Sequence, residues 1–305
     1  MGNIAKKFKS GFIGIVGPTN SGKSTLMNAL MGQKLSIVSP KVQTTYHGVR
    51  GILNSPNVQL VLTDTPGFQK QNEPVARLLN RVAEKNAKDC DLLVWVFDAS
   101  NPRMLGQLLK LKPKIESLKP RDFSLCVLNK IDKMPKPALL PLIQTLFELG
   151  IFSEIVPISA RRGEGVASLA DLLRARLPEG EAMYPQDMVT DRKQEFLISE
   201  LIREKIYRAT QQEIPYSAWV ELETPDENES SARVPTIRAV IHIDSQSRRG
   251  ILIGKGGSML KTIGTEARKE IEVLLKRHIC LKLHVDVQDE WKKDANHLNR
   301  YLELQ

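Results

Sequence analysis

The run Gly17-Pro18-Thr19-Asn20-Ser21-Gly22-Lys23-Ser24-Thr25 carries the spacing G-x-x-x-x-G-K-[ST], which suits a chain that must wrap a polyphosphate. Glycines let successive backbone N–H groups close around oxygen anions, and the helix that follows adds its positive end. Lys23 then reaches the β and γ oxygens, and the Ser24 hydroxyl is placed for Mg²⁺. The run sits between the apolar stretch Phe12 to Val16 and an apolar helical pattern that begins near Ser24. That strand–loop–helix context is the one the chemistry requires, and an ordinary glycine turn does not. Gly17, Asn20, Ser21, Gly22, Lys23, Ser24 and Thr25 are therefore the candidate phosphate contacts.

Two further sets complete a nucleotide site. Asp64-Thr65-Pro66-Gly67 ends the next long apolar run, where hydrolysis of a nucleoside triphosphate needs a carboxylate for Mg²⁺ and a glycine N–H for the γ-phosphate. A plain strand-end turn uses the same residue types, so the motif gains its meaning from its place after the phosphate loop. In Asn129-Lys130-Ile131-Asp132 the Asp132 carboxylate can accept two hydrogen bonds from N1–H and the 2-amino group of guanine, a donor pair adenine lacks. GTP is thereby favoured over ATP. Asn129 would brace the loops and the Lys130 stem would lie along the base. Ser159-Ala160 would close the pocket, with the Ala160 N–H aimed at the guanine oxygen.

These motifs need strand ends to hold them. Phe12 to Val16, Val58 to Leu62, Leu92 to Phe97, Ser124 to Leu128 and Ile155 to Ile158 are short apolar runs separated by amphipathic stretches, the rhythm of βαβ units. Strands apolar on both faces predict an α/β domain with a mostly parallel sheet, helices on both faces, and ligands outside the carboxyl ends. Around Leu177 to Thr190 that rhythm stops in a stretch with Pro, Gly and acids but no apolar period, which reads as a linker. We expect a nucleotide domain over 1–178, a linker over 179–190 and a second domain over 191–305. The second is α+β, in an order near α-β-β-α-β. A helix is predicted over Asp191 to Thr210, strands over Tyr216 to Leu222 and Ile237 to Ile243, a helix carrying Ile263, Ala267, Ile271 and Leu274, and a strand over Ile279 to Val287.

Gly254-Lys255-Gly256-Gly257 lies between Ile251–Ile253 and the helix starting near Met259, the arrangement of the GxxG loop of a KH domain. Such a loop clamps a nucleic-acid backbone, because glycines allow close approach to phosphate while Lys255 and the helix N-terminus supply positive charge. GxxG alone is common in flexible turns. Its weight here comes from the element order and from the basic neighbours Arg248, Arg249, Lys261, Arg268 and Lys269. The candidate RNA contacts are Gly254, Lys255, Gly256, Gly257, Arg248 and Lys261; Trp219 fits core packing and solvent or partner exposure equally well.

Together GPTNSGKS, the Thr44-Thr45 pair, DTPG, NKID and Ser159-Ala160 read as the five G motifs of a translation-factor-related GTPase, and the chain most resembles the Era family. The resemblance covers residues 11 to 67 in the first half and 184 to 292 in the second. It implies a P-loop GTPase domain followed by a type II KH domain, with GTP/GDP and Mg²⁺ as cofactors. It assigns Thr45, with Thr44 as the fallback, to Mg²⁺ beside Ser24 and Asp64. It also assigns catalysis to Lys23, Thr45, Asp64 and Gly67. Switch segments are expected around Lys34 to Tyr46 and Phe68 to Pro74. The family's usual Arg after the two threonines is Tyr46 here, and the residue after Gly67 is Phe68, which cannot polarise water as a glutamine does. The resemblance further suggests that Asn20 helps hold K⁺ in place of an arginine finger; a simple turn residue is the alternative. The implied partners are the 3′ end of 16S ribosomal RNA and the 30S subunit, in assembly and maturation of that particle. A monomer is expected, cytoplasmic or peripheral on the inner membrane. A tRNA-modification GTPase resembles the chain only in its first half, and a nucleotide-gated RNA-binding or chaperone module is the reading from another class.

Composition excludes several other classes. The net charge of +9 is uneven, with seven Lys or Arg and no acid before Asp64, so that stretch attracts anions. Cys90, Cys126 and Cys280 are odd in number, far apart and within apolar runs, which suits buried thiols and neither a disulfide framework nor a zinc site. No apolar run approaches the roughly 18 residues of a membrane span, and MGNIAKKFKSG lacks a signal peptide's apolar region.

Overall fold

The computed structural model describes residues 7–39, 48–68, 74–118, 123–210, 214–224 and 234–288. The described residues form two compact units, one of residues 7–36 and 48–191, the other of Ile37–Ser39 with the residues from Arg192 onward.

In the first unit the order is β1 (Lys9–Val16), α1 (Lys23–Met31), β2 (Val49–Ser55), β3 (Val58–Asp64), α2 (Pro74–Lys88), β4 (Leu92–Asp98), α3 (Met104–Ser117), β5 (Leu125–Asn129), α4 (Lys136–Glu148), β6 (Glu154–Pro157) and α5 (Val166–Arg176). The sheet runs β2-β3-β1-β4-β5-β6, parallel except for β2 on β3. This is the α/β architecture the apolar runs predict. β4 and β5 are apolar up to their last residues, Asp98 and Asn129, and almost wholly buried, as strands covered on both faces must be. Trp95, Phe97, Cys126 and Leu128 pack with Ala83, Leu108, Ile115 and Leu146 from α2, α3 and α4. β2, whose exposed Arg50 and polar end hide a strand signal, is the one strand of this sheet absent from the sequence reading.

Residues 179–190 lack an apolar period because hydrogen bonds, not packing, hold them to the first unit. The fully buried Gln59 side chain donates to the Tyr184 carbonyl (2.8 Å) and accepts from the Met183 and Tyr184 amides (2.7 and 3.0 Å). Val189 accepts from the Ile52 amide at 2.8 Å, and Asn54 donates to Gln186 and Met188. The stretch lies along β2 and β3 of the first unit.

The second unit comprises α6 (Gln194–Ala209), α7 (Ile214–Ser217), β7 (Ala218–Leu222), β8 (Thr236–Ile243), α8 (Gln246–Ile253), α9 (Ser258–Leu275) and β9 (Cys280–Val287). β7 pairs antiparallel and β9 parallel with β8. Ile198, Ile202, Ile206, Ile263, Ala267 and Ile271 from α6 and α9 bury against Val220, Ile241, Ile243 and Val285. α6 starts at Gln194, after Lys193 as an N-cap without a side-chain bond, three residues later than the predicted start at Asp191. α8 is an extra element over the expected order; its short stripe ahead of the glycines gives too few turns to register as a period.

Candidate nucleotide and nucleic-acid sites

The loop between β1 and α1 takes its shape from residues that tolerate a left-handed backbone. Gly17 has φ 140°, and a Cβ there would stand 2.3 Å from the Val96 carbonyl oxygen; at Gly22, φ 94°, it would stand 2.2 Å from Asn129 Nδ2. Neither position accepts a side chain. Asn20 also has positive φ, at 60°. Lys23 is 6 % exposed, and its ammonium donates to the Pro18 and Gly17 carbonyls at 2.8 and 3.3 Å. Burial lowers its pKa to about 8, with Asp64 opposing and Lys130 reinforcing the shift.

Asp64, fully buried, ends β3 one strand away, aligned with Ile15 of β1. Thr65 donates its hydroxyl to the Ile15 carbonyl at 2.9 Å, a brace the sequence reading missed. Gly67 presses on the phosphate loop: a Cβ there would lie 2.7 Å from Thr19 Cα and 2.8 Å from Lys23 Nζ. The Phe68 amide donates to the Gly17 carbonyl at 3.0 Å. Its ring is buried, stacked on Trp95 at 5.8 Å with Lys114 over its face at 4.5 Å. The side chain after the DTPG motif thus belongs to the core.

The base loop converges on the same end of the sheet. Asn129 donates to the Ser21 carbonyl at 3.0 Å and its Oδ1 accepts from the Lys130 and Ala160 amides at 2.8 and 3.0 Å, so one side chain ties three motifs together. Lys130, at φ 66°, donates to the Asn20 carbonyl at 2.6 Å and pairs with Asp98 at 2.7 Å. Ser159 donates its hydroxyl to Asp132 at 2.6 Å, and that bond chiefly holds the carboxyl below its ordinary range. Ionised, Asp132 accepts only, as two guanine donors require. Asp98 was also missed, since it stands just past the run read as Leu92 to Phe97. Thr44 and Thr45 lie outside the described residues.

In the second unit Gly254 has φ 75° and ψ 172°, Gly256 φ 59° and ψ 26°, and Gly257 φ 78° and ψ 8°. A 3₁₀ turn over Lys255–Gly257 leads into α9, whose N-cap is Gly257 without a side-chain bond. Beside it runs an open groove of about 660 Å³ whose lining includes Gly257, Lys261, Gly264, Arg268, Cys280 and Leu283. Small and apolar residues with two cations in the lining suit single-stranded nucleic acid. Of the other basic neighbours, Arg248 donates from Nη1 to both carboxylate oxygens of Asp244 at 2.7 Å, Arg249 donates to the Val285 carbonyl at 3.2 Å, and Lys269 pairs with Glu266. Trp219 is stacked on His242, centroids 4.0 Å apart.

Residues 12–130 match the family model described as a 50S ribosome-binding GTPase, and residues 213–292 match that of the KH domain. The chain is 43% identical over 301 residues to GTPase Era of Syntrophus aciditrophicus, covering 98% of this chain and 97% of that one. It is 40% identical to GTPase Era of Geobacter sp. strain M21, covering 97% and 98%. A solved structure of an Era point variant from Aquifex aeolicus bound to GDP·AlF₄⁻ superposes with TM-score 0.87 at 34% identity, covering 96% of this chain and 98% of that one. Era in complex with MgGDPNP and nucleotides 1506–1542 of 16S ribosomal RNA matches equally well, with the same TM-score, identity and coverage. With the nucleotide loops assembled at one sheet end, a KH unit after them and relatives of this identity over nearly the whole length, the chain belongs to the Era family of GTPases and is a GTP hydrolase.

Proposed function

We propose that this GTPase binds the 3′ end of 16S ribosomal RNA in its KH groove, and that bound GTP or GDP sets the affinity, in assembly and maturation of the 30S subunit. The observation that carries the reading is the groove beside the positive-φ glycines, with Lys261 and Arg268 on its wall. Support comes from the relative that holds nucleotides of the same RNA. Gly254, Lys255, Gly256 and Gly257 approach the backbone, Lys261 supplies charge, and Arg248 contributes through its exposed part.

In the nucleotide site Gly17, Asn20, Ser21, Gly22, Ser24 and Thr25 wrap the phosphates, and Lys23 exchanges its two carbonyl partners for β and γ oxygens. Ser24, Asp64 and Thr45 are hard oxygen donors, the kind Mg²⁺ takes. When bound, that ion neutralises charge that develops on the transferred phosphoryl group. Gly67 offers its N–H to the γ-phosphate, while Asn129, Lys130, Asp132, Ser159 and Ala160 hold the guanine. Because Phe68 is sequestered against Trp95, water must be oriented by other groups. We assign Asn20 to a K⁺ that assists; a hydrolysis rate indifferent to replacing K⁺ with Na⁺ removes that assignment. The protein acts as a cytoplasmic monomer, with peripheral contact to the inner membrane.

The test is the affinity of the full chain for a 3′-terminal 16S oligonucleotide, measured in GTP-analogue and GDP forms against a scrambled sequence. Nucleotide-dependent, sequence-selective binding supports the proposal. Equal binding to the scrambled RNA overturns the choice of target and leaves the GTPase intact.

A further inference from the structure

We infer that Asp98 is a positioning residue for guanine-nucleotide binding, acting through Lys130 to lock the base loop onto the phosphate loop before nucleotide arrives. Strand register carries the first step. β4 and β5 are parallel with Asp98 aligned with Asn129, so the carboxylate stands at the same sheet end as the base loop, one strand away. Its two oxygens divide their work. Oδ1 accepts from the Ser100 amide and hydroxyl at 3.0 and 2.6 Å, which shapes the turn after β4. Oδ2 takes the Lys130 ammonium at 2.7 Å, with both side chains only 18% exposed, so solvent screening is weaker than in a surface pair.

The second step is what the fixed ammonium does. Lys130 also donates to the Asn20 carbonyl at 2.6 Å. Asn20 and Lys130 are two of the three non-glycine residues with positive φ among the described residues, at 60° and 66°. A left-handed backbone at such residues costs on the order of 1 kcal/mol or more and persists only where its surroundings hold it. The ammonium spans both strained positions, and Asp98 is the anion that holds it there. With the tie in place the stem of Lys130 is set and the phosphate loop keeps its shape, so the nucleotide does not have to order either. Asp98 touches no reacting atom, and its effect falls on nucleotide retention, not on the chemical step.

Asp98→Asn separates this role from that of a turn residue, because the amide keeps an Oδ1 acceptor for Ser100 but turns an NH₂ toward the ammonium. We expect GDP release from Asp98→Asn, followed by loss of fluorescence from a labelled GDP, to be about tenfold faster. KM for GTP should rise similarly, kcat should not fall, and the melting temperature of the nucleotide-free chain should stay within about 2 °C. Lys130→Ala should release GDP at least as fast, and Asp98→Asn added to Lys130→Ala should change nothing further. GDP release within twofold of the parent in Asp98→Asn, or defects that multiply in the double variant, would overturn the inference. Loss of melting temperature without faster release would assign Asp98 to the turn alone.

Discussion

The three glycines of the KH loop should not be equivalent, and alanine at each measures why. At Gly254 the backbone, φ 75° and ψ 172°, lies in a region essentially reserved for glycine, at a cost of about 1 to 3 kcal/mol for any other residue. A Cβ there also meets Met259 Cβ at 2.7 Å and the Met259 amide nitrogen at 2.9 Å, whereas Cβ atoms at Gly256 and Gly257 meet nothing within 4 Å. Relieving the clash means shifting the first turn of α9, and overpacking of that kind costs about 1 to 3 kcal/mol more. Gly254→Ala should therefore lose about 2 to 6 kcal/mol, and Gly256→Ala about 1 kcal/mol from left-handed strain alone. For a domain of about 100 residues each kcal/mol moves the melting temperature by about 4 to 8 °C. The second unit of Gly254→Ala should thus melt at least about 8 °C below the parent, and that of Gly256→Ala less than about 8 °C below it. Thermal unfolding followed by circular dichroism, with excess GDP to hold the first unit folded, reads both. Gly254→Ala as stable as Gly256→Ala would refute the steric argument. The same geometry makes Gly257→Asp the cleaner probe of RNA binding, since its carboxylate enters the groove without breaking the loop, and affinity for the oligonucleotide should fall about tenfold or more. Gly254→Asp would lose binding by unfolding.

Three further outcomes follow from the site and the core. Because burial puts free Lys23 at about 8 and phosphate favours its charged form, the nucleotide complex binds more protons than the free protein. GDP affinity, by calorimetry from pH 7 to 9, should be full below about 8 and decline above it, with Lys23→Ala weaker throughout and without that slope. Phe68→Ala removes the stack on Trp95 and the Lys114 contact, so urea unfolding of the first unit should show a loss of about 3 to 5 kcal/mol. Cys280 is exposed whereas Cys90 and Cys126 are buried; burial pushes the Cys90 thiol up to about 12 and Cys126 up as well. One thiol per native chain should react rapidly with an aromatic disulfide, and Cys280→Ser should abolish that phase.

Much of this molecule was legible in the residues. The phosphate loop, DTPG and NKID are contiguous runs whose chemistry depends on residue type and spacing, and each follows an apolar strand, so periodicity placed them at the sheet's carboxyl ends. The GxxG loop was legible in the same way. What could not be read locally depends on which strands become neighbours. Asp98 is an unremarkable strand-end acid until parallel pairing aligns it with Asn129. Phe68 reads as a missing glutamine until the fold buries it on Trp95. Residues 179–190 read as a linker because their order comes from the buried amide of Gln59, more than a hundred residues away in the chain. Nor does charge alone distinguish Arg268, on the groove wall, from Arg248, paired with Asp244. Sequence alone determined the chemistry that short contiguous runs carry, since backbone conformation and side-chain type are local. Only the tertiary structure decided which distant groups satisfy one another, because hydrogen bonds and ion pairs form between neighbours in space.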